Sequence, residues 1–202
     1  MSYQRCRIVL GCLLLILAAS PLIWADEKPT VNLPQKGTDL GNYVPTTTTW
    51  VVVSPTLPKY NGNNTCLAGV YRKEKAISIY AQSEDKNVWE LLHAVDRELR
   101  DHPEIKAYVV IHKPLRDSGG TNLSATRFAE TKALALAHKF RHIDVSLCRS
   151  PSKFLFDENT LVKFVYSEQR IVKISRKFTK TDQPLNEAAA LIQAVLKISA
   201  AR

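Results

Sequence analysis

An α/β fold, with a mixed sheet flanked by helices, is the class this sequence predicts. Three observations carry it. From Lys75 to Cys148, β-branched and apolar runs of strand length alternate with segments of helical periodicity. Two further runs of strand composition then follow one another across a short polar turn, as in a hairpin. A last segment with an apolar stripe at helical spacing closes the chain.

The first 25 of the 202 residues have the parts of an export signal. Arg5 and Arg7 are positive, Ile8 to Leu17 is apolar apart from Gly11 and Cys12, and the small residues Ala18, Ala19 and Ser20 follow. Cleavage is expected after Ala25, because Pro21 obstructs an earlier cut. The alternative is a retained anchor, since the apolar stretch to Ala25 is nearly long enough to span a bilayer. The expected organisation is a signal peptide (1–25), a disordered, flexible linker (26–49) and one domain (50–200). About 175 mature residues suffice for one core. The expected location is exported, periplasmic or extracellular, with no integral membrane segment once the signal is gone. The whole chain carries +9, and losing Arg5 and Arg7 leaves +7. Charges of both signs are interspersed, which serves solubility. A basic exported protein can also dock on anionic envelope polymers.

The linker is read from Pro29, Pro34 and Pro45, Gly37 and Gly41, and the threonines 46–49, none of which has apolar periodicity. Trp50-Val51-Val52-Val53 is a short strand or an apolar lead-in, and Pro55 to Thr65 is turn chemistry. Ala76 to Ala81 is β-rich. Asn87 to Arg100 places Val88, Leu91, Leu92, Val95 and Leu99 at helical spacing, with Asp85 or Asn87 as cap and Pro103 as stop. Ala107 to Ile111 is a continuous apolar run, as in a strand covered on both faces. Arg116 to Ser124 is a polar loop, Ala125 to Phe140 an Ala-rich helix, and Ile143 to Cys148 a shorter strand. Leu161–Tyr166 and Arg170–Phe178 form the hairpin, turning across Ser167-Glu168-Gln169. Asp182 opens the last helix, with Pro184 in its first turn and Leu185, Ala189, Ile192, Val195 and Leu196 on its apolar face.

This order of elements resembles the thioredoxin-like fold, in the version with an extra strand before the final hairpin. Glu158-Asn159-Thr160-Leu161-Val162-Lys163-Phe164-Val165 stands where such proteins have Ile-Pro-Thr and an apolar strand. Ser167-Glu168-Gln169-Arg170-Ile171-Val172 is similar to their return strand. The resemblance implies a three-layer domain over roughly Cys66 to Ile198. It also implies an active corner between the first strand and its helix, where working members carry Cys-x-x-Cys. Here Glu84 and Asn87 stand at those two positions, and Asn159 stands for the cis-proline. The resemblance therefore implies an inherited contact corner made of Glu84, Asp85, Asn87 and Asn159, without ordinary thiol–disulfide exchange. Thr65-Cys66-Leu67-Ala68-Gly69 is similar to the entry of exported bacterial thioredoxin-like proteins with Cys-x-x-Cys before the first strand, but Gly69 replaces the second cysteine.

Cys66 and Cys148 are the only cysteines after residue 25. They are a structural bridge, two separate thiols, or a redox couple in which Cys66 attacks and Cys148 resolves. The leading expectation is a binding or accessory domain whose partner is a protein or envelope component; the alternatives are the redox couple and the polymer-docking module. Enzyme activity is left open.

Other motifs have plainer readings. Asp117-Ser118-Gly119-Gly120 is similar to a serine-protease nucleophile loop, but too little chain precedes it to build two β-barrels. His138 and His142, four apart, could share a helical face as metal ligands; a helix end with favourable dipole contacts explains them as well, and no metal site is expected. Glu84 and Asp85 suit capping as readily as acid–base work. Lys163, Lys173, Arg176, Lys177 and Lys180 make the hairpin basic, as a solvated face or protected edge does. Without a phosphate loop or an aromatic–basic pattern, neither a cofactor nor a nucleic-acid partner is expected.

Overall fold

β-Branched and aromatic runs set the strands, and the sheet they form positions everything else. The structure, a computed structural model of the chain, describes residues 38–112, 124–148, 159–182 and 184–201. Its strands are β1 (Thr49–Val53), β2 (Asn64–Thr65), β3 (Lys75–Ala81), β4 (Ile105–Ile111), β5 (Ile143–Cys148), β6 (Thr160–Glu168) and β7 (Ile171–Thr179). They join in the order β2-β1-β5-β4-β3-β6-β7. β3, β4 and β5 are parallel, and the flanking strands enter antiparallel. The helices are α1 (Leu67–Val70), α2 (Lys86–Glu98), α3 (Ala125–His138) and α4 (Pro184–Ala200).

The central strands are buried on both faces, which is why β3 and β4 read as almost unbroken apolar runs. Ile77, Ile79, Ala107 and Val109 pack in one core with Leu91, Leu92 and Val95 of α2, Ala135 of α3, and Ile192 and Val195 of α4. Ala76, Tyr80, Tyr108 and Val110 join a second core with Val44, Leu67, Ala68 and Tyr71. Among the described residues, that second face is covered by the four-residue α1 and the strip around Val44 instead of by a long helix.

Local chemistry sets the boundaries. Asp85 caps α2, its Oδ1 accepting the Asn87 N–H at 2.8 Å. The expected continuation to Arg100 tightens into a 3-10 turn over Leu99–Asp101 ahead of Pro103. Ser124 caps α3, and Lys139, left-handed at φ 52°, stops it two residues before the expected Phe140. Of the stripe expected on α4, Ile192 and Val195 are buried while Ala189 is exposed; the Leu185 side chain lies outside the described part.

Two expectations need correction. The linker does not run to residue 49. Gly41 N–H donates to Val172 O, Val172 N–H to Asn42 O and Val44 N–H to Arg170 O, so this strip pairs with the start of β7 and buries Val44. Proline and threonine composition hides such docking because backbone groups make it. The hairpin also turns later than expected, at Gln169-Arg170, both at positive φ (49° and 70°) as a two-residue type I′ loop requires. Ser167 and Glu168 therefore belong to β6, and Glu168 is buried, accepting from the Tyr166 hydroxyl at 2.9 Å.

A buried carboxylate ties α1 and the loop before it to the sheet. Asp144 of β5 accepts from Ser54 Oγ at 2.7 Å, from Thr56 Oγ1 at 2.8 Å and from the Tyr71 hydroxyl. No cation faces it among these bonds, so the hydroxyl donors stabilise the site. Burial, and then Asp144, drives Tyr71 far above the ordinary phenol range, so it remains a donor.

Candidate functional site

Open α/β sheets bind ligands beyond the carboxyl ends of their parallel strands. Here that edge is formed by Ala81 of β3, Ile111 of β4 and Cys148 of β5, together with the amino end of α2. Gln82 N–H donates to Leu161 O at 3.0 Å and His112 N–H to Ala81 O at 2.7 Å, extending the sheet past the ends of β3 and β4. Lys180 N–H donates to Asn159 O at 3.2 Å, which holds the entry to β6.

The structure brings Glu84, Asp85 and Asn87 together at the start of α2, and it places Asn159 immediately ahead of β6, the strand paired with β3. Their roles differ. Asp85 is spent on the helix cap. Glu84, half-buried, accepts from the Thr131 hydroxyl of α3 and so links two helices. A separate acid–base pair is not formed, because the two carboxylates serve different partners. Glu158, the loop Asp117–Gly120 and the segment 1–25 lie outside the described residues.

His112 is the site residue that the sequence pattern did not single out. It follows the apolar run of β4, at the strand end where sites concentrate, and that position was the available signal. Its side chain is buried, 8% exposed. Burial pushes its pKa down to about 4, so the imidazole is neutral at physiological pH. Its ring lies 6.3 Å from that of Tyr80. Burial likewise raises Tyr80 well above the phenol range and pushes Tyr108 up to about 12. The end of β4 thus places a neutral imidazole beside the buried phenol of Tyr80, while Asp85 and Glu84 are engaged in helix contacts.

Neither Cys66 nor Cys148 is on α2. Cys66, half-buried, caps α1, its Sγ accepting the Gly69 N–H at 3.3 Å. Cys148 is buried at the end of β5. The two thiols are not joined in a disulfide, and β1 stands between the strand carrying Cys148 and the one leading to Cys66, with Thr49 paired to Thr65 on one side and Cys148 on the other. Among the described residues no thiol lies at the amino end of α2.

Of the remaining candidates, His138 and His142 do not share a helix face. Lys139 ends α3 between them, and the His142 N–H donates to Asp96 at 2.7 Å. The basic hairpin is partly neutralised: Lys163 lies 3.6 Å from Asp39, and Arg176 forms a two-pronged pair with Glu187 at 2.6 and 2.8 Å. No described helix is long and apolar enough to cross a membrane.

No protein-family profile and no curated protein matches the sequence. Solved structures do. A candidate thiol:disulfide interchange protein DsbE from Chlorobium tepidum superposes with a TM-score of 0.53 at 10% identity, over 80% of this chain and 98% of that one. A cysteine-to-serine mutant of peroxiredoxin 6 from Arenicola marina gives 0.52 at 9% identity, over 82% and 76%. An uncharacterized conserved protein from Geobacillus kaustophilus gives 0.51 at 11% identity, over 79% and 83%. At such identities the likeness defines the fold alone. The described residues have a thioredoxin-like fold, a mixed seven-stranded sheet with four helices.

Proposed function

We propose that this chain is an exported thioredoxin-like domain that acts by binding, as an accessory protein of the cell envelope, without ordinary thiol–disulfide exchange. One observation carries the reading: the amino end of α2 holds Glu84 and the capping Asp85, and both cysteines after residue 25 lie at other elements. Exchange needs a thiolate stabilised at such a helix start and a second thiol within reach to resolve the mixed disulfide. With carboxylates there instead, the same edge presents Gln82, Ser83, Asn87 and Asn159 as polar contact groups for a protein or envelope partner. Export rests on the segment 1–25 and on its charge and apolar pattern.

Insulin reduction by the purified mature protein tests the reading. No turnover above the dithiothreitol background is expected. Turnover that disappears in Cys66→Ser overturns it.

A second reading is favoured by the half-buried Cys66 at the start of α1, whose Sγ accepts the Gly69 N–H. In it, Cys66 is a single-thiol nucleophile and Cys148 resolves. It requires Cys66 to alkylate faster than a model thiol at pH 7; an equal or slower rate removes it. Docking on anionic polymers would instead give retention that falls with salt.

A further inference from the structure

Two histidines far apart in sequence meet on the surface between α2 and α3. His93 Nε2 lies 2.8 Å from His138 Nδ1. His93 is exposed, and His138, in the last turn of α3, is half-buried. The His138 ring stacks on Trp89 with 4.5 Å between centroids and lies 5.6 Å from the ring of Phe140, near-parallel to both. The two ring nitrogens thus already meet, with one ring held by aromatic packing and the other exposed to solvent.

We infer that His93 and His138 form a two-histidine chelate for a divalent transition-metal ion that prefers tetragonal nitrogen coordination, of the copper(II) or nickel(II) type. Imidazole–metal bonds are about 2.0–2.1 Å long. Nitrogens 2.8 Å apart on such bonds subtend about 85–90° at the metal, the angle between adjacent positions of a square-planar or tetragonal centre.

In the metal-free pair one ring donates N–H to the other. On binding, the donor ring moves that proton to its remaining nitrogen, so the neutral pair binds metal without net proton release. The metal lies off the line between the nitrogens, and the exposed His93 ring turns to meet it. Among the described residues no group of three or more His, Cys, Asp or Glu is placed to hold a metal ion. Asp96, one turn along α2 from His93, is occupied by the Arg141 and His142 N–H groups. Among the described residues no further ligand is offered, which leaves the remaining positions to water or an exogenous ligand.

The test uses untagged, metal-free mature protein titrated with copper(II) and nickel(II) chlorides at pH 7.5. Binding is read by calorimetry and by quenching of tryptophan fluorescence, since Trp89 lies against His138. One saturable equivalent is expected, weakened at least tenfold in His93→Asn and in His138→Asn and unchanged in His142→Asn. The copper(II) electron paramagnetic resonance spectrum should be tetragonal with two nitrogen ligands, one of them lost in each variant. His93 is exposed, so His93→Asn keeps the test valid even if His138→Asn loosens the Trp89 stack. Absence of a saturable equivalent, or one that survives His93→Asn, overturns the proposal; so does equal weakening by His142→Asn.

Discussion

Acid should unfold this protein partly through one imidazole, and the size of the effect follows from the burial of His112. In the unfolded chain a histidine titrates near 6.5, whereas burial holds His112 at about 4 in the fold. Between these values the unfolded state binds a proton that the folded state refuses, so stability rises with pH across the window. Above pH 6.5 both states are neutral and the cost vanishes. Below it each pH unit removes about 1.4 kcal/mol, which gives about 3 kcal/mol by pH 4. That is a large part of the 5–15 kcal/mol typical of a domain. Urea unfolding followed by tryptophan fluorescence at pH 7.5, 5.5 and 4.0 measures it in wild type and in His112→Leu. His138, whose pKa burial and His93 also lower, remains in both proteins and cancels in the difference. The free-energy gap between the two proteins should move by about 3 kcal/mol in favour of the leucine variant on going from pH 7.5 to pH 4. A gap that stays constant across the three pH values would refute the account.

Three other outcomes are expected. Asp144→Ala should cost at least about 3 kcal/mol in urea unfolding, because it leaves the buried Ser54 and Tyr71 hydroxyls without their acceptor; a loss under about 1 kcal/mol would mean that the network relaxes onto other groups. Lys75→Met should cost about 1 kcal/mol, since Lys75 Nζ donates to Ser199 O at 2.7 Å and to Ser199 Oγ at 2.9 Å at the carboxyl end of α4; an unchanged urea midpoint would count against it. Thiol titration of mature, unreduced protein should find two free groups, with Cys66 reacting in the native state and Cys148 only after unfolding; a count of zero would mean a bridge.

Legibility in the sequence followed the range of the interaction. The runs at 75–81, 105–111 and 143–148 and the helix at 86–98 are local patterns, with their period set by a single element and its burial. The Asp85 cap was legible for the same reason, because donor and acceptor lie two residues apart. The docking of residues 41–44 on β7 was not, since it runs through backbone groups that carry no side-chain signature. Ile143-Asp144-Val145-Ser146-Leu147-Cys148 alternates like a half-exposed strand, yet every residue in it is buried. Only the loop at 54–57 and Tyr71, folded over that face, supply the donors that Asp144 needs.

The histidines show the same division. Spacing pairs His138 with His142, but a left-handed Lys139 separates them, and His138 meets His93, 45 residues away, across two packed helices. By itself the sequence determined the α/β class, the order of elements, the export pattern at the amino terminus and the absence of Cys-x-x-Cys, because each is a matter of composition or neighbouring residues. Tertiary structure alone decided that Cys66 caps α1 and Cys148 is buried at the end of β5, that Glu84 bonds across to Thr131, that His112 is buried neutral, and that His93 and His138 meet in a hydrogen bond across two helices. Each of these depends on which surfaces the sheet and helices bring together, and burial and contact arise only once distant segments pack.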